Sequence, residues 1–158
     1  MLFRSARSPK TLPETLAILA KDKEQDVRYN VANNSNTLPE TLEFLAATDY
    51  RTCHIVARNP NTTSDILAIL SKNEDDLVRE NVAQNEKTSP DILAILATDP
   101  KRRVRSYVAR NPETKPETLK ILATDTDWAV SDPAKESLKI RNLAETIYNK
   151  VLIKLLYL

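Results

Sequence analysis

The stretch that decides the fold is Asp99–Ala123, DPKRRVRSYVARNPETKPETLKILA. It holds two elements. The first, V-R-x-x-V-A, places Val104 and Val108 four residues apart, as on one face of a helix, and ends at Asn111. The second, T-K-P-E-T-L, reads as a helix start. Thr114 is a candidate N-cap, Glu117 stands three residues on as in a capping box, and Pro116 sits in the first turn, where its missing N–H costs little. Leu119 and Leu122 then mark one helical face.

The same string recurs along the chain. The alanines of VANN, VARN, VAQN and VARN are Ala32, Ala57, Ala83 and Ala109, spaced 25, 26 and 26 residues apart, and Ala6 lies 26 before the first. About five units therefore run from residue 6 to about 135. Thr11, Thr37, Thr62, Thr88 and Thr114 are the N-cap candidates, and Glu14, Glu40, Asp65, Asp91 and Glu117 their capping-box partners. Leu16/Leu19, Leu42/Leu45, Leu67/Leu70, Leu93/Leu96 and Leu119/Leu122 form the apolar face. Ile66, Ile69, Ile92, Ile95 and Ile121 widen it, which predicts helices covered on two sides. The shorter helix of each unit starts at Asp22, Asp49, Asn73, Asp99 or Asp125 and ends at Asn34, Asn59, Asn85 or Asn111, where either a left-handed residue or a side chain that satisfies a loose carbonyl is expected, and asparagine suits both.

Composition narrows function by exclusion. Among 158 residues there is no glycine, where average usage would give about 11. Dinucleotide fingerprints, phosphate-binding P-loops, nucleophile elbows and tight hairpins all need it. With 23 basic and 22 acidic residues, formal net charge is +1, so no global bias points to nucleic acid. Aromatics are 5%, so the core is aliphatic. The single Cys53 excludes an intrachain disulfide framework and fits a reducing, cytoplasmic setting. The N-terminal MLFRSARSPK lacks the apolar core of a secretory signal, and no run approaches the length of a membrane span.

A period of 26 also falls in the leucine-rich-repeat range, but the leucines here follow a proline and a capping signal rather than lying in strands. Asp99–Ala123, and less fully Asp22–Ala46, resemble the leucine-rich repeat variant family, over roughly residues 6–130. HEAT repeats are the more distant likeness. The resemblance implies an all-α fold: a short right-handed superhelical solenoid of two-helix units, an α-helix alternating with a short α or 3-10 helix. The founding type's iron–sulfur cluster needs an N-terminal cysteine cluster, and this chain has only Cys53, so no cofactor is expected. The family's biochemical role is generally unassigned.

The units depart from each other in informative places. Unit 2 is two residues shorter between Asp49 and Ala57, and its V-R pair becomes Thr52-Cys53. In unit 5, Pro133 stands where Tyr107 stood, so Asp132 reads as a new N-cap. The reading divides the chain into a repeat body, residues 1–132, and a capping helix, residues 133–158. Its apolar face is Ile140, Leu143, Ala144, Ile147, Val151 and Leu155, with Trp128 joining the cap.

Candidate sites follow the register. Arg28, Arg79 and Arg105 share one position and read as an Asp–Arg ladder, with Asp22 and Asp99 six residues before Arg28 and Arg105. Arg58, Arg110 and Lys101, Arg102 and Arg103 are the basic candidates for a ligand, with Tyr29, His54 and Tyr107 able to line a groove. Glu74, Asp75 and Asp76 interrupt that basic zone. Cys53 and His54 lack the further ligands a metal needs, and neighbours in sequence align poorly for nucleophilic catalysis. The tail VLIKLLYL offers Leu152, Ile153, Leu156 and Tyr157 as a partner or homodimer interface. The expectation is a non-catalytic scaffold binding protein or peptide through its concave face or this tail. The alternative is nucleic-acid binding through the arginine columns. An alkylated-base glycosylase on HEAT-like repeats is the third reading, and the sequence shows no acid–aromatic pocket for it.

Overall fold

The computed structural model describes residues 2–156, with side-chain surroundings for these except at 2, 149 and 152–156. It is all-helical, with no strand among the described residues. The order is α1 (Leu2–Arg7), α2 (Pro13–Leu19), α3 (Gln25–Asn33), α4 (Pro39–Thr48), a 3-10 turn (Tyr50–Thr52), α5 (Cys53–Arg58), α6 (Ser64–Leu70), α7 (Asp76–Gln84), α8 (Pro90–Leu96), α9 (Arg102–Arg110), α10 (Pro116–Leu122) and α11 (Trp128–Leu156). The V-R helices α3, α5, α7 and α9 pack in succession, with α1 before them and α11 after. Val31, Val56, Val82 and Val108, and the alanine beside each, are fully buried along that line. The leucine pairs of α2, α4, α6, α8 and α10 close the same core from the other layer.

The start of each long-element helix lies one residue later than the capping reading. Helices α2, α4, α8 and α10 begin at Pro13, Pro39, Pro90 and Pro116, so Leu12, Leu38, Ser89 and Lys115 occupy the N-cap in extended backbone. Proline imposes this, because it excludes the α region for the residue before it. Glu14, Glu40 and Glu117 thereby fall at the second helical position, outside capping-box geometry, and are exposed near the favourable N-terminal dipole. Among the five long-element helices, only Thr63 of α6 and Ser89 of α8 cap with their side chains, accepting from the Ile66 and Ile92 N–H. The threonine column does another job. Thr37, Thr62, Thr88 and Thr114, all buried, donate to the carbonyls of Val31, Val56, Val82 and Val108, and so tie off the end of each V-R helix.

The asparagines after those helices take the carbonyl-satisfying role and not the left-handed one, and the carbonyls they serve belong to the preceding unit. Asn34, Asn59, Asn85 and Asn111 have φ of −79°, −67°, −69° and −70°, and no described residue takes a positive φ. Their carboxamides instead bridge units. Asn59 Nδ2 donates to the Ala32 carbonyl at 2.7 Å and the Asn34 carbonyl at 3.0 Å. Asn34, Asn85 and Asn111 make the same pair of bonds one unit earlier or later. Each Oδ1 accepts from the N–H two residues on, at 2.8–2.9 Å, as in an Asx turn. Beyond the last asparagine, Ser137 of α11 takes over and donates to the Ala109 carbonyl at 2.8 Å.

The terminal helix differs from the expected cap. It begins at Trp128, with Asp127 Oδ1 accepting from the Ala129 N–H, and it runs straight through Pro133. Proline leaves the carbonyl four residues earlier, that of Ala129, without its helical donor. Ser106 Oγ of α9 fills that vacancy at 2.6 Å, so the break foreseen at Asp132 does not occur. Val130 and Ala134 are buried and Leu138 packs against the core. Trp128, by contrast, is 74% exposed, and Ile140, Leu143, Ala144, Ile147 and Val151 are exposed as well. The helix closes the core with its first third, and beyond Arg141, which reaches the Pro112 carbonyl, no other described element covers its apolar stripe.

The long-element helices are also covered on one side only. Ile66 and Ile92 are buried, but Ile69, Ile95 and Ile121 are exposed, in the register of Ile18 and Phe44. Truncating a bridging asparagine should test what joins the units. In Asn59→Ala the carbonyls of Ala32 and Asn34 lose their donor inside the core, an expected cost of about 2–4 kcal/mol. Urea unfolding measures it, and a loss under about 0.5 kcal/mol would mean these bridges are dispensable.

Candidate binding surface

The arginine column is committed to the scaffold. Arg28 Nε meets Asp49 Oδ2 at 2.7 Å, Arg79 meets Asp99 at 2.7 and 3.2 Å, and Arg105 meets Asp125 at 2.7 and 3.2 Å. In each rung the carboxylate comes from the following unit. The aspartate six residues before the arginine contributes only its backbone carbonyl, Asp22 to Arg28 and Asp99 to Arg105, both at 2.8 Å. Of the residues read as starting these helices, Asp49 caps the 3-10 turn by accepting from the Arg51 N–H, and the others do not cap directly. Asp22, Asn73, Asp99 and Asp125 accept from the N–H two residues on, an Asx turn that leads into the helix. Cys53 stands at the arginine position of unit 2, and the following unit holds neutral Asn73 where the others hold aspartate. A rung that has lost its cation has thus also lost its anion.

The rungs set the electrostatics. Burial pushes the Asp99 carboxyl up, but the Arg79 hydrogen bond, the Lys101 N–H and the attraction of Arg79 and Arg105 outweigh it, so its pKa lies below the ordinary value. The Arg105 hydrogen bond and the Asp127 N–H lower Asp125 against its burial. Both partner guanidiniums are raised, first by those same hydrogen bonds. Burial, then the charge of Asp49, pushes the Cys53 thiol up, and its Sγ lies 3.6 Å from the Ala46 carbonyl, so this is an unreactive core thiol.

The exposed side of the V-R helices carries the remaining candidates. One register position holds Tyr29, His54, Glu80 and Ser106. The Tyr29 and His54 rings pack at 6.3 Å between centroids, tilted by 53°. Arg58 is exposed, with no ion-pair partner among the described residues. Lys101 pairs with Asp76 at 3.7 Å, Arg102 with Asp127 at 3.3 Å and Arg103 with Glu80 at 3.4 Å. Arg110 Nη1 donates to the Ser106 carbonyl at 2.9 Å and to its hydroxyl. The half-buried Tyr107 packs against the core behind them. Arg102, Arg103 and Arg110 thus come together on α9, with Lys101 just before its start, whereas Arg58 and the Tyr29–His54 pair lie on other units.

Glu80, buried at 3% exposure beneath Arg103, was not marked by the sequence, because an acid on a polar helix face looks like any solvated residue. Leu152, Ile153, Leu156 and Tyr157 lie outside the residues whose side chains the structure describes. No group of three or more His, Cys, Asp or Glu among the described residues could hold a metal. No helix among them is long and apolar enough to cross a membrane.

Asp99 and Asp125 bind protons less readily folded than unfolded. The stability they lend is therefore complete above the unfolded value near 4 and is lost as pH falls through the lower folded value. Asp99→Asn should cost about 2 kcal/mol at neutral pH, less than a fully buried pair, because Arg79 keeps some contact with water. Urea unfolding across pH should show this deficit shrink toward zero on acidification. A deficit independent of pH would exclude the charge as its cause. No protein-family model, no curated protein and no solved structure matches this chain.

Proposed function

We propose that the chain is a short right-handed α-solenoid of the leucine-rich repeat variant kind, acting as a non-catalytic scaffold that binds polypeptide. Three features support the solenoid reading: asparagine bridges that recur at separations of 25–28 residues, the successive packing of V-R helices, and the small contact between helices of the other layer. Close spacing in one layer and wide spacing in the other curves the stack, with the V-R helices inside. The observation that carries the binding reading is the interleaving of charge on that inner face. Arg28, Arg79 and Arg105 are held in rungs, and Lys101, Arg102 and Arg103 each have a carboxylate. A surface of mixed sign with a Tyr29–His54 aromatic pair suits a polypeptide better than a track of phosphates.

Two measurements test it together. Selection from a displayed random-peptide library should enrich a consensus whose binding falls about tenfold with Tyr29→Ala/His54→Ala. Fluorescence anisotropy with duplex and single-stranded DNA across a salt series should show no saturable binding at physiological salt. Tight, steeply salt-dependent DNA binding would replace this reading with the nucleic-acid one.

The bare stripe on α11 favours a second contact, with another copy of the chain. Ile140, Leu143, Ala144, Ile147, Tyr148 and Val151 recur at helical spacing and are all exposed. Arg141 and Glu145 sit four apart along one edge. Two antiparallel copies crossing at Leu143 would set each Arg141 opposite its partner's Glu145. Sedimentation of the full chain should show association that strengthens with concentration and is abolished by Leu143→Glu. Arg141→Glu alone should weaken it, and adding Glu145→Arg should restore it. A chain that stays monomeric at every concentration rules this contact out.

A further inference from the structure

What recurs in every unit serves the stack, so a feature that occurs in one unit alone needs another reason. Such a feature lies between α9 and α11. Arg102, Arg103, Ser106, Tyr107, Arg110 and Ala129 line a shallow depression of about 470 Å³. Counted from the repeat alanine, the positions of Arg102, Arg103 and Arg110 hold Gln25, Asp26 and Asn33 in unit 1, Tyr50, Arg51 and Arg58 in unit 2, and Asp76, Leu77 and Gln84 in unit 3, so unit 2 shares two of the arginines but not the third. Three guanidiniums around one hollow are thus peculiar to this place.

Their ion pairs leave them available. Arg102 is 65% exposed over Asp127 at 22%, and Arg103 is 68% exposed over Glu80 at 4%. The carboxylates lie beneath and the guanidiniums face outward. A guanidinium has five N–H donors in a planar fork. Arg102 uses one Nη1 on Asp127, Arg103 its Nε on Glu80, and Arg110 one Nη1 on Ser106. Arg110 has no carboxylate partner among the described residues, so three cations face two anions and the hollow keeps a positive excess. Tyr107 lines the hollow with its hydroxyl beside Arg103, and the exposed indole of Trp128 adjoins Ala129 in the chain. Outside the hollow the sign reverses, with Glu74, Asp75 and Asp76 in the neighbouring unit. One anionic group fits there, and a run of phosphates does not.

We infer that this depression binds a single oxyanion group carried by a polypeptide, either the phosphoryl group of a phosphorylated side chain or a carboxylate. Outward-facing guanidiniums satisfy both through charge-assisted, two-point hydrogen bonds, and the phosphoryl group more fully, with its greater charge and three acceptor oxygens. The inference rests on the polypeptide-binding reading and names the chemistry of one contact within it.

The test uses the full, isotope-labelled chain and follows the arginine Nε–H signals while inorganic phosphate replaces chloride at constant ionic strength. Saturable shifts are expected at Arg102, Arg103 and Arg110, and none at Arg28, Arg79 or Arg105. Arg110→Gln should weaken phosphate about tenfold, with the melting temperature unchanged. A short phosphoserine peptide should then bind more tightly than phosphate alone, and its glutamate counterpart more weakly than the phosphoserine form. Uniform, non-saturating shifts at all six arginines, or an Arg110→Gln affinity equal to wild type, would overturn the site. If displayed peptides are still selected in that case, the scaffold reading survives without it. Phosphate binding with no gain from either peptide would overturn the polypeptide assignment.

Discussion

An asparagine carboxamide at the end of each V-R helix holds two carbonyl groups of the unit before it, and the rest of the molecule depends on that bridge. The last turn of any helix leaves carbonyls without intrahelical donors. Here those carbonyls face the next unit inside the core, where water cannot serve them. Asn34, Asn59, Asn85 and Asn111 each supply two N–H donors to the preceding unit while the oxygen fixes their own following turn. The threonine three residues on completes the closure by reaching back to a valine carbonyl. Packing of valine on alanine between V-R helices follows, because the bridge fixes how far apart successive helices lie.

The absence of glycine and the prolines belong to the same design. With no glycine, the chain leaves each V-R helix through extended backbone and enters most of the following helices at proline. Both moves are available to ordinary residues with negative φ. The cost is a set of unsatisfied polar groups at every turn, and the asparagine, threonine and aspartate columns each answer one of them. Among the described residues no buried side-chain nitrogen or oxygen is left without a partner. The Arg–Asp rungs add a charged tie between successive units.

Much of the fold was legible. The 26-residue recurrence, the leucine pairs and the valine pairs mark both helices of each unit and their buried faces. What misled were residues whose local role has two solutions. Threonine before proline looks like a cap, and asparagine after a helix leaves a left-handed backbone and a carbonyl-binding side chain both open. The threonine turns back to a valine carbonyl six residues earlier, and only contacts 25–28 residues away in sequence show which carbonyls each asparagine serves. The candidate surface was less legible. Lys101, Arg102, Arg103 and Arg110 stood out as a basic zone, but Glu80 and Asp127, which lie beneath two of them, did not.

The sequence by itself determined the element type, the unit length, the core columns and the absence of glycine-dependent chemistry, because these rest on local preference and periodicity. The tertiary structure decided which carboxylate each arginine meets, which isoleucines are bare, and whether Pro133 breaks its helix. Each of these depends on what a neighbouring unit brings to the same point in space. Ser106 supplying the donor that Pro133 lacks is the clearest case, since residues 23 positions apart settle the course of the terminal helix.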